Sequence, residues 1–245
     1  MEEKDIIKKL TIQECCDTLL PHLRVNFPEE VFQEIFDVSI NLDYVRKNPE
    51  IAETFATFEN SPIDKLECER IVLESKNPKI NYLFARNVKG ADIKAHEQVV
   101  LESKDAWINY LFADDIKGAD IKSHEQVILE NKNPEYNYRF AAYVEGANIK
   151  AHEQVVLESK DAKYSYEFAQ YFPDVADIKS HGIVIINSGS KKYMKKFADI
   201  LIERISHAQE VNELSSVIEY ADMLREIQQA LKTQKVLSRK PNPKN

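Results

Sequence analysis

A unit of 28 residues occurs five times along the middle of this chain. It is clearest in the segment that begins at Asp92 and in its copy that begins at Asp120. A unit this short cannot bury its own apolar face, so neighbouring copies have to stack and share one core. The repeat therefore predicts an extended stack of small units and excludes a single globular core.

Helix-capping residues recur at two positions in each unit. Asp, Asn and Ser accept hydrogen bonds from the free backbone N–H groups of the first helical turn. One series is Asp64, Asp92, Asp120, Asn148 and Asp177, and the other is Asn48, Asn77, Asp105, Asn133, Asp161 and Ser190. Glycine, which adopts a left-handed conformation without strain, is predicted to close the second helix at Gly90, Gly118 and Gly146. Two capped helices per unit predict an all-α fold: a right-handed αα-solenoid of about five 28-residue repeats with helical caps.

The apolar positions indicate which face of each helix is buried. In the second helix, Ile80, Phe84 and Val88 form an i, i+4, i+8 line that returns in later copies. In the first helix the apolar stripe includes a histidine, at His96, His124, His152 and His181. Neighbouring helices lie about 8–10 Å apart, whereas zinc ligands lie about 2.0–2.1 Å from the metal. We therefore expect structural imidazoles, each bonded to a carbonyl or an acid, and neither a metal nor another cofactor.

Composition indicates the class of protein and its compartment. The 245 residues are 43% hydrophobic and 30% charged, which suits a soluble helical protein. The first ten residues are charged, and no apolar run approaches the roughly 20 residues of a membrane span. Three cysteines without a metal-binding spacing are typical of a reducing environment. We expect a cytoplasmic protein with no membrane partner.

Departures from the repeat divide the chain into four predicted regions. Residues 1–60 are predicted to form an N-terminal helical cap and an irregular first repeat, and 61–205 the αα-repeat solenoid. Residues 206–233 are predicted to form a C-terminal helical cap. Residues 234–245, rich in lysine and proline and without an acid, are predicted to be a disordered basic tail.

Charge offers one route to function. The net charge of −8 disfavours binding to phosphate backbones on average. Lysines nevertheless recur at one helical position, Lys94, Lys122 and Lys150, beside glutamate series such as the one at Glu97, Glu125 and Glu153. Such opposite ladders are most simply explained as solvated, self-pairing faces. The alternative is a basic groove that binds RNA or DNA.

Positions that break the repeat offer a second route. They are Trp107, Arg139, the insertion at 172–175 and Gly182. Trp107 directly follows a helix start, where it is either an exposed binding anchor or a cap over the helix end. We expect no catalytic residues, because the candidate Ser, His and acid side chains recur as ladders. A hydrolase would need one asymmetric pocket, near Trp107 or near the insertion.

Asparagines precede the repeated tyrosine, and one interpretation is that each contacts one unit of a ligand. Asn109 and Asn137 hold this position in two copies, and modular RNA-binding solenoids use side chains in this way. The run Glu97-Gln-Val-Val also resembles the first helix of transcription activator-like effector repeats. That resemblance covers four residues of a unit of different size and lacks the glycine pair of that family.

A second resemblance covers more of the chain. The pattern Gly-Ala-Asp-Ile-Lys-x-His-Glu-Gln is present at 90–98 and 118–126 and, with Asn148 in place of Asp, at 146–154. It is similar to poorly characterised 28-residue αα-repeat proteins of low-GC bacteria and their phages. The resemblance spans about 130 of the 245 residues. It implies the fold and no particular activity.

These observations predict a non-enzymatic protein that binds another protein through its solenoid surface. One alternative is a phage-encoded antagonist of a host nucleic-acid enzyme, with an acidic body that partly imitates nucleic acid. Another is an RNA- or DNA-binding solenoid. The predicted partner-binding residues are Trp107, Asn109, Asn137, Arg139, Lys94, Lys122 and Lys150.

Overall fold

The chain folds into helices connected by short turns. The computed structural model describes residues 42–58 and 63–237, and within these ranges it contains helices and no strand. The predictions for residues 1–41 and 238–245, including most of the N-terminal cap and of the basic tail, lie outside the described residues. The helices are α1 Leu42–Lys47, α2 Pro49–Ala56, α3 Lys65–Glu74, α4 Pro78–Asn87, α5 Ile93–Ser103, α6 Ala106–Asp115, α7 Ile121–Asn131, α8 Pro134–Tyr143, α9 Ile149–Ser159, α10 Ala162–Tyr171, α11 Ile178–Asn187, α12 Lys191–Glu210 and α13 Leu214–Leu237.

Most of the predicted caps are present. Asp92 accepts a hydrogen bond from the backbone N–H of Ala95 at 3.1 Å, and Asp105 accepts one from Ile108 at 3.1 Å. Asp64, Asn77, Asn133, Asn148, Asp161 and Asp177 cap their helices in the same way. Asn48 and Ser190 make no side-chain cap bond. The spacing of the caps therefore identifies the two helices of the regular repeat and is less reliable at its two ends.

Helix ends differ from the prediction in one respect. The predicted glycines have positive φ angles of 84–89°, but they lie beyond the end of the helix. The residue that ends the helix, such as Val88, has an extended backbone conformation. The unexpected left-handed residues are lysines that follow the first helix of the repeat. Their φ angles are 53–57° at Lys76, Lys104, Lys132 and Lys160. A side chain with a Cβ is strained in this conformation, so each lysine stabilises the chain less than glycine would there.

The described residues belong to two compact units, which meet in sequence between Asp120 and Ile121. In the first unit, α4 packs on α5, and α2, α4 and α6 are successive neighbours in one layer. Buried side chains of this unit include Phe84 and Phe112, with 1% and 0% of their surface exposed. The predicted apolar line of the second helix is thus the core, and the expected stacking of helix pairs is confirmed within this unit.

The second unit repeats this arrangement and then ends it. Helix α8 packs on α9 and α10 on α11, and α8, α10 and α12 are successive neighbours. The long helices α12 and α13 form a hairpin, so the predicted boundary at residue 205 lies inside a helix, and α13 continues past residue 233 to Leu237. Gly182 allows this hairpin to dock, because a Cβ there would lie 2.4 Å from Sδ of Met223.

The all-α repeat fold is therefore confirmed within each unit, and the right hand of the stacking stays a prediction. Among residues 42–58 and 63–237, no helix combines the length and the apolar character required to cross a membrane.

Candidate protein-binding surface

The histidines of the repeat are buried, and His96 and His152 form hydrogen bonds, as predicted. The side chains of His96, His124, His152 and His181 have no exposed surface. Nδ1 of His96 lies 2.8 Å from Oδ1 of Asn81, and Nδ1 of His152 lies 2.8 Å from Oδ1 of Asn137. Each bond joins the first helix of one repeat to the second helix of the preceding repeat. Among the described residues, no group of three or more metal-binding side chains is found.

The asparagine amide fixes the orientation of the histidine ring. In Asn81 the amide nitrogen donates to the carbonyls of Val72 at 3.1 Å and Asn77 at 2.9 Å. The amide oxygen is therefore the group that faces His96, so Nδ1 of the ring donates to it, while Nε2 lies 3.2 Å from Oε1 of Glu69. Burial lowers the pKa of His96, and the nearby Glu69 carboxylate offsets part of that shift.

The predicted role of the asparagines in partner binding is wrong. Asn109 and Asn137 have no exposed surface. Their amides donate to the carbonyls of Val100 and Ile128 at 3.0 and 3.1 Å. A side chain without exposed surface cannot contact a partner, so these two residues instead bond to the backbone at the end of the preceding helix.

A glutamate joins the same repeats at a second point. Oε1 of Glu69 accepts the backbone N–H of Asp92 at 2.6 Å, and Glu97 does the same for Asp120 at 2.6 Å. Glu125 and Glu153 accept from Asn148 and Asp177 at 2.6 and 2.5 Å. Glu97 and Glu153 are only 8% and 4% exposed. The interpretation of this ladder as a solvated face is therefore wrong, because each carboxylate stabilises the start of the next repeat.

A cluster of exposed and half-buried tyrosines marks the second unit. The tyrosine cluster consists of Tyr138 and Tyr143 on α8 with Tyr164 and Tyr171 on α10. The ring centroid of Tyr138 lies 6.4 Å from that of Tyr164 and 6.1 Å from that of Tyr171, and Tyr143 lies 5.9 Å from Tyr171. Tyr143 and Tyr171 are 52% and 46% exposed. Aromatic contacts therefore hold a set of rings together at the protein surface.

Charged groups surround the tyrosine cluster. The guanidinium of Arg139, a residue predicted to bind a partner, donates to Oε1 of Glu135 at 3.0 and 3.1 Å. The hydroxyl of Tyr164 donates to Oε2 of the same glutamate at 2.8 Å, and this bond, followed by those from Arg139, lowers the pKa of Glu135. Burial raises the pKa of Tyr138 to about 12. Tyr138 is thus neutral at physiological pH, and the ion pair between Arg139 and Glu135 lies at the edge of the cluster.

The tyrosine cluster is a departure from the repeat that the sequence prediction missed. The last residue of the second helix is Asn87, Asp115, Tyr143 and Tyr171 in successive copies. In the first unit, Asp115 instead accepts a hydrogen bond from the hydroxyl of Tyr82. Comparison of this single position between copies would have revealed the change from polar to aromatic residues.

The remaining predicted residues lie at the surface. Trp107, in the first unit, is 39% exposed, and its ring lies 5.5 Å from that of Tyr110. Lys94, Lys122 and Lys150 are exposed. The ammonium of Lys150 is already engaged, because it donates to Glu153 at 2.8 Å and to the carbonyl of Val175 at 2.5 Å.

A cleft of about 700 Å³ lies at the predicted insertion, between the repeat and the α12–α13 hairpin of the second unit. Arg204 spans it and donates to the carbonyl of Pro173. Its walls include Tyr166 and Tyr220, each with a cationic side chain over its ring, Lys196 at 5.0 Å and Arg204 at 5.9 Å. Six carboxylates line it: Asp174, Asp177, Asp199, Glu203, Glu213 and Glu219. The insertion thus creates an asymmetric and mainly acidic surface.

Comparisons with models of protein families, with curated proteins and with solved structures found no match to this chain.

Proposed function

We propose that this chain is a non-enzymatic helical-repeat protein that binds another protein through the tyrosine cluster of its second unit. The observation that carries the proposal is the exposure of Tyr143 and Tyr171, about half of each side chain, within a group of rings in edge-to-face contact. Tyrosine is enriched in protein interfaces, where it supplies a large contact area at a low cost in conformational entropy.

The fixed geometry of the cluster supports this proposal. The hydroxyl of Tyr171 donates to the carbonyl of Ala142 at 3.0 Å, and its ring meets the rings of Tyr138 and Tyr143 edge to face. A partner would therefore meet rings that are already ordered, which reduces the entropy lost on binding. The Arg139–Glu135 ion pair at the edge would supply directional hydrogen bonds.

The repeated histidines, asparagines and glutamates support this proposal because their burial removes them from the binding surface. These are the repeated side chains with the most chemically reactive groups, and their hydrogen bonds join one repeat to the next. What then remains for recognition is the surface that differs between copies. On the second helices of the second unit, that surface carries tyrosines.

The test is an affinity capture with the full-length tagged chain from lysate of its native host, with and without nuclease. The double variant Tyr143→Ser and Tyr171→Ser removes the exposed rings, and Gln98→Ser on α5 is a matched exposed control. We expect one nuclease-resistant, stoichiometric protein with the wild type and the control, and its loss with the double variant. Equal capture by all three folded proteins would contradict the assignment of the surface.

The carboxylates of the cleft favour a second candidate, an antagonist that presents an acidic surface to a host nucleic-acid enzyme. This candidate requires that the captured partner bind nucleic acid and that DNA or RNA compete with the chain for it. Recovery of nucleic acid alone, lost on nuclease treatment, would instead support direct binding through Lys94 and Lys122.

A further inference from the structure

The junction between α10 and α11 lacks the asparagine that joins the other repeats. Ser165 occupies the position of Asn81 and Asn137, and it has no exposed surface. Its Oγ atom and Nδ1 of His181 are both buried without a hydrogen-bond partner. Nε2 of His181 lies 3.3 Å from Oε1 of Glu153 but outside hydrogen-bonding geometry. Buried polar groups are costly when unpaired, so this junction requires an explanation.

The histidine ring has not moved to close the gap. The centroid of His181 lies 5.4 Å from that of Phe168, and the equivalent pairs are separated by 4.8 Å for His96 and 5.1 Å for His152. The ring therefore keeps its stacking contact on the phenylalanine of the preceding helix. The difference lies in the length of the side chain opposite, because serine ends at Oγ where asparagine extends by a further carbonyl and amino group.

The regular repeats show which bonds the missing amide would make. In each of them the amide nitrogen donates to a carbonyl at the end of the first helix and to the carbonyl of the N-cap residue. The 28-residue register places the carbonyls of Val156 and Asp161 in these roles at the Ser165 junction. Together with Ser165 Oγ and His181 Nδ1, these carbonyls give the junction four polar groups around the position of the missing amide.

We propose that an internal water molecule replaces this amide and bridges Nδ1 of His181 to Ser165 Oγ and the carbonyl of Val156. The water accepts from the ring N–H, as Oδ1 of asparagine does elsewhere, and donates to the carbonyl, as Nδ2 does elsewhere. Buried waters in proteins make about three hydrogen bonds. Two of the groups at this junction, Ser165 Oγ and His181 Nδ1, are otherwise unpaired, and the carbonyl of Val156, which accepts from Ser159 Oγ at 2.6 Å, has a second lone pair for the water. The site binds water and is distinct from the tyrosine cluster.

The test exchanges the two kinds of junction within one chain. Ser165→Asn converts the last junction to the regular type, and Asn137→Ser converts a regular junction to the last type. The readouts are the ordered water within hydrogen-bond distance of each histidine Nδ1 in crystal structures, and the number of long-lived internal waters from oxygen-17 relaxation dispersion. Relative to the wild type, we expect one water fewer for Ser165→Asn and one more for Asn137→Ser.

Two results would overturn the proposal. One is a direct hydrogen bond between Ser165 Oγ and His181 Nδ1 in the wild type, with no water between them. The other is an unchanged number of internal waters in a folded variant, either Asn137→Ser or Ser165→Asn. Because the two variants are measured separately, failure of either one to fold leaves the other to decide.

Discussion

Replacement of Asn81 by alanine tests the principal connection between repeats in the first unit. The amide nitrogen of Asn81 donates two hydrogen bonds, and its oxygen accepts one from Nδ1 of the fully buried His96. The carbonyl of Val72 keeps the hydroxyl of Ser75 as a partner at 2.6 Å, and that of Asn77 keeps a backbone N–H at 3.0 Å. The ring N–H of His96 is therefore the group that loses a partner.

These contacts give the magnitude. Two lost hydrogen bonds to carbonyls contribute about 0.5–1.5 kcal/mol each, and one buried N–H without a partner costs about 1–3 kcal/mol. The free energy of unfolding should fall by about 2–6 kcal/mol, a large part of the roughly 5–15 kcal/mol that typical domains possess. We expect a marked decrease in the urea midpoint of the first unit.

The assay is urea unfolding followed by the fluorescence of Trp107, the only tryptophan, which lies in the same unit as Asn81. Gln98→Ala is the control, because Gln98 is exposed and surface substitutions usually change stability by less than about 0.5 kcal/mol. A folded Asn81→Ala protein that unfolds within about 0.5 kcal/mol of the wild type would refute the role assigned to the amide.

Three further predictions concern stability. Phe112→Ala should lower the free energy of unfolding by about 3–5 kcal/mol, because it leaves a cavity in a core where the ring is fully buried, and a near wild-type melting temperature would contradict this. Lys104→Gly should raise the free energy of unfolding by about 0.5–1 kcal/mol, because glycine relieves the strain of the left-handed conformation at φ 53°. Lys94→Gly is the control and should lower the free energy of unfolding, because Lys94 is exposed and lies within a helix. Burial lowers the pKa of His96, His152 and His181, so below about pH 6.5 the unfolded chain binds more protons than the folded protein. The free energy of unfolding should therefore be constant above that pH. It should fall as the pH drops below it and through the pKa values of these histidines in the folded protein. Urea midpoints between pH 8 and pH 5 test this, and a maximum on the acidic side would contradict it.

Cap spacing and apolar periodicity were sufficient to predict the helices of the repeat. Asp92 and Asp105 bond to free N–H groups within three residues, and Phe112 lies on the buried face of its own helix. Such features depend on neighbours in sequence, so their pattern is visible in the chain itself. The left-handed conformation of Lys104 was not predicted, because lysine is not a residue that favours it.

Asparagine and glutamate were assigned incorrectly for a different physical reason. Polar residues are normally expected at the surface, and their sequence neighbours do not reveal a partner in the next repeat. Asn137 meets His152 across 15 residues, and Glu97 meets the backbone of Asp120 across 23 residues. Only the stacking of one repeat on another brings these groups together and removes them from water.

The amino-acid sequence by itself therefore determined the helical repeat, its 28-residue register, the core face of each helix and the burial of the histidines. These properties follow from local hydrogen bonding and from apolar periodicity, and both patterns recur in each copy of the repeat. The tertiary structure decided which polar ladders join the repeats and which residues remain at the surface, including Tyr143 and Tyr171. It did so because burial and exposure depend on contacts between repeats, and no single copy contains those contacts.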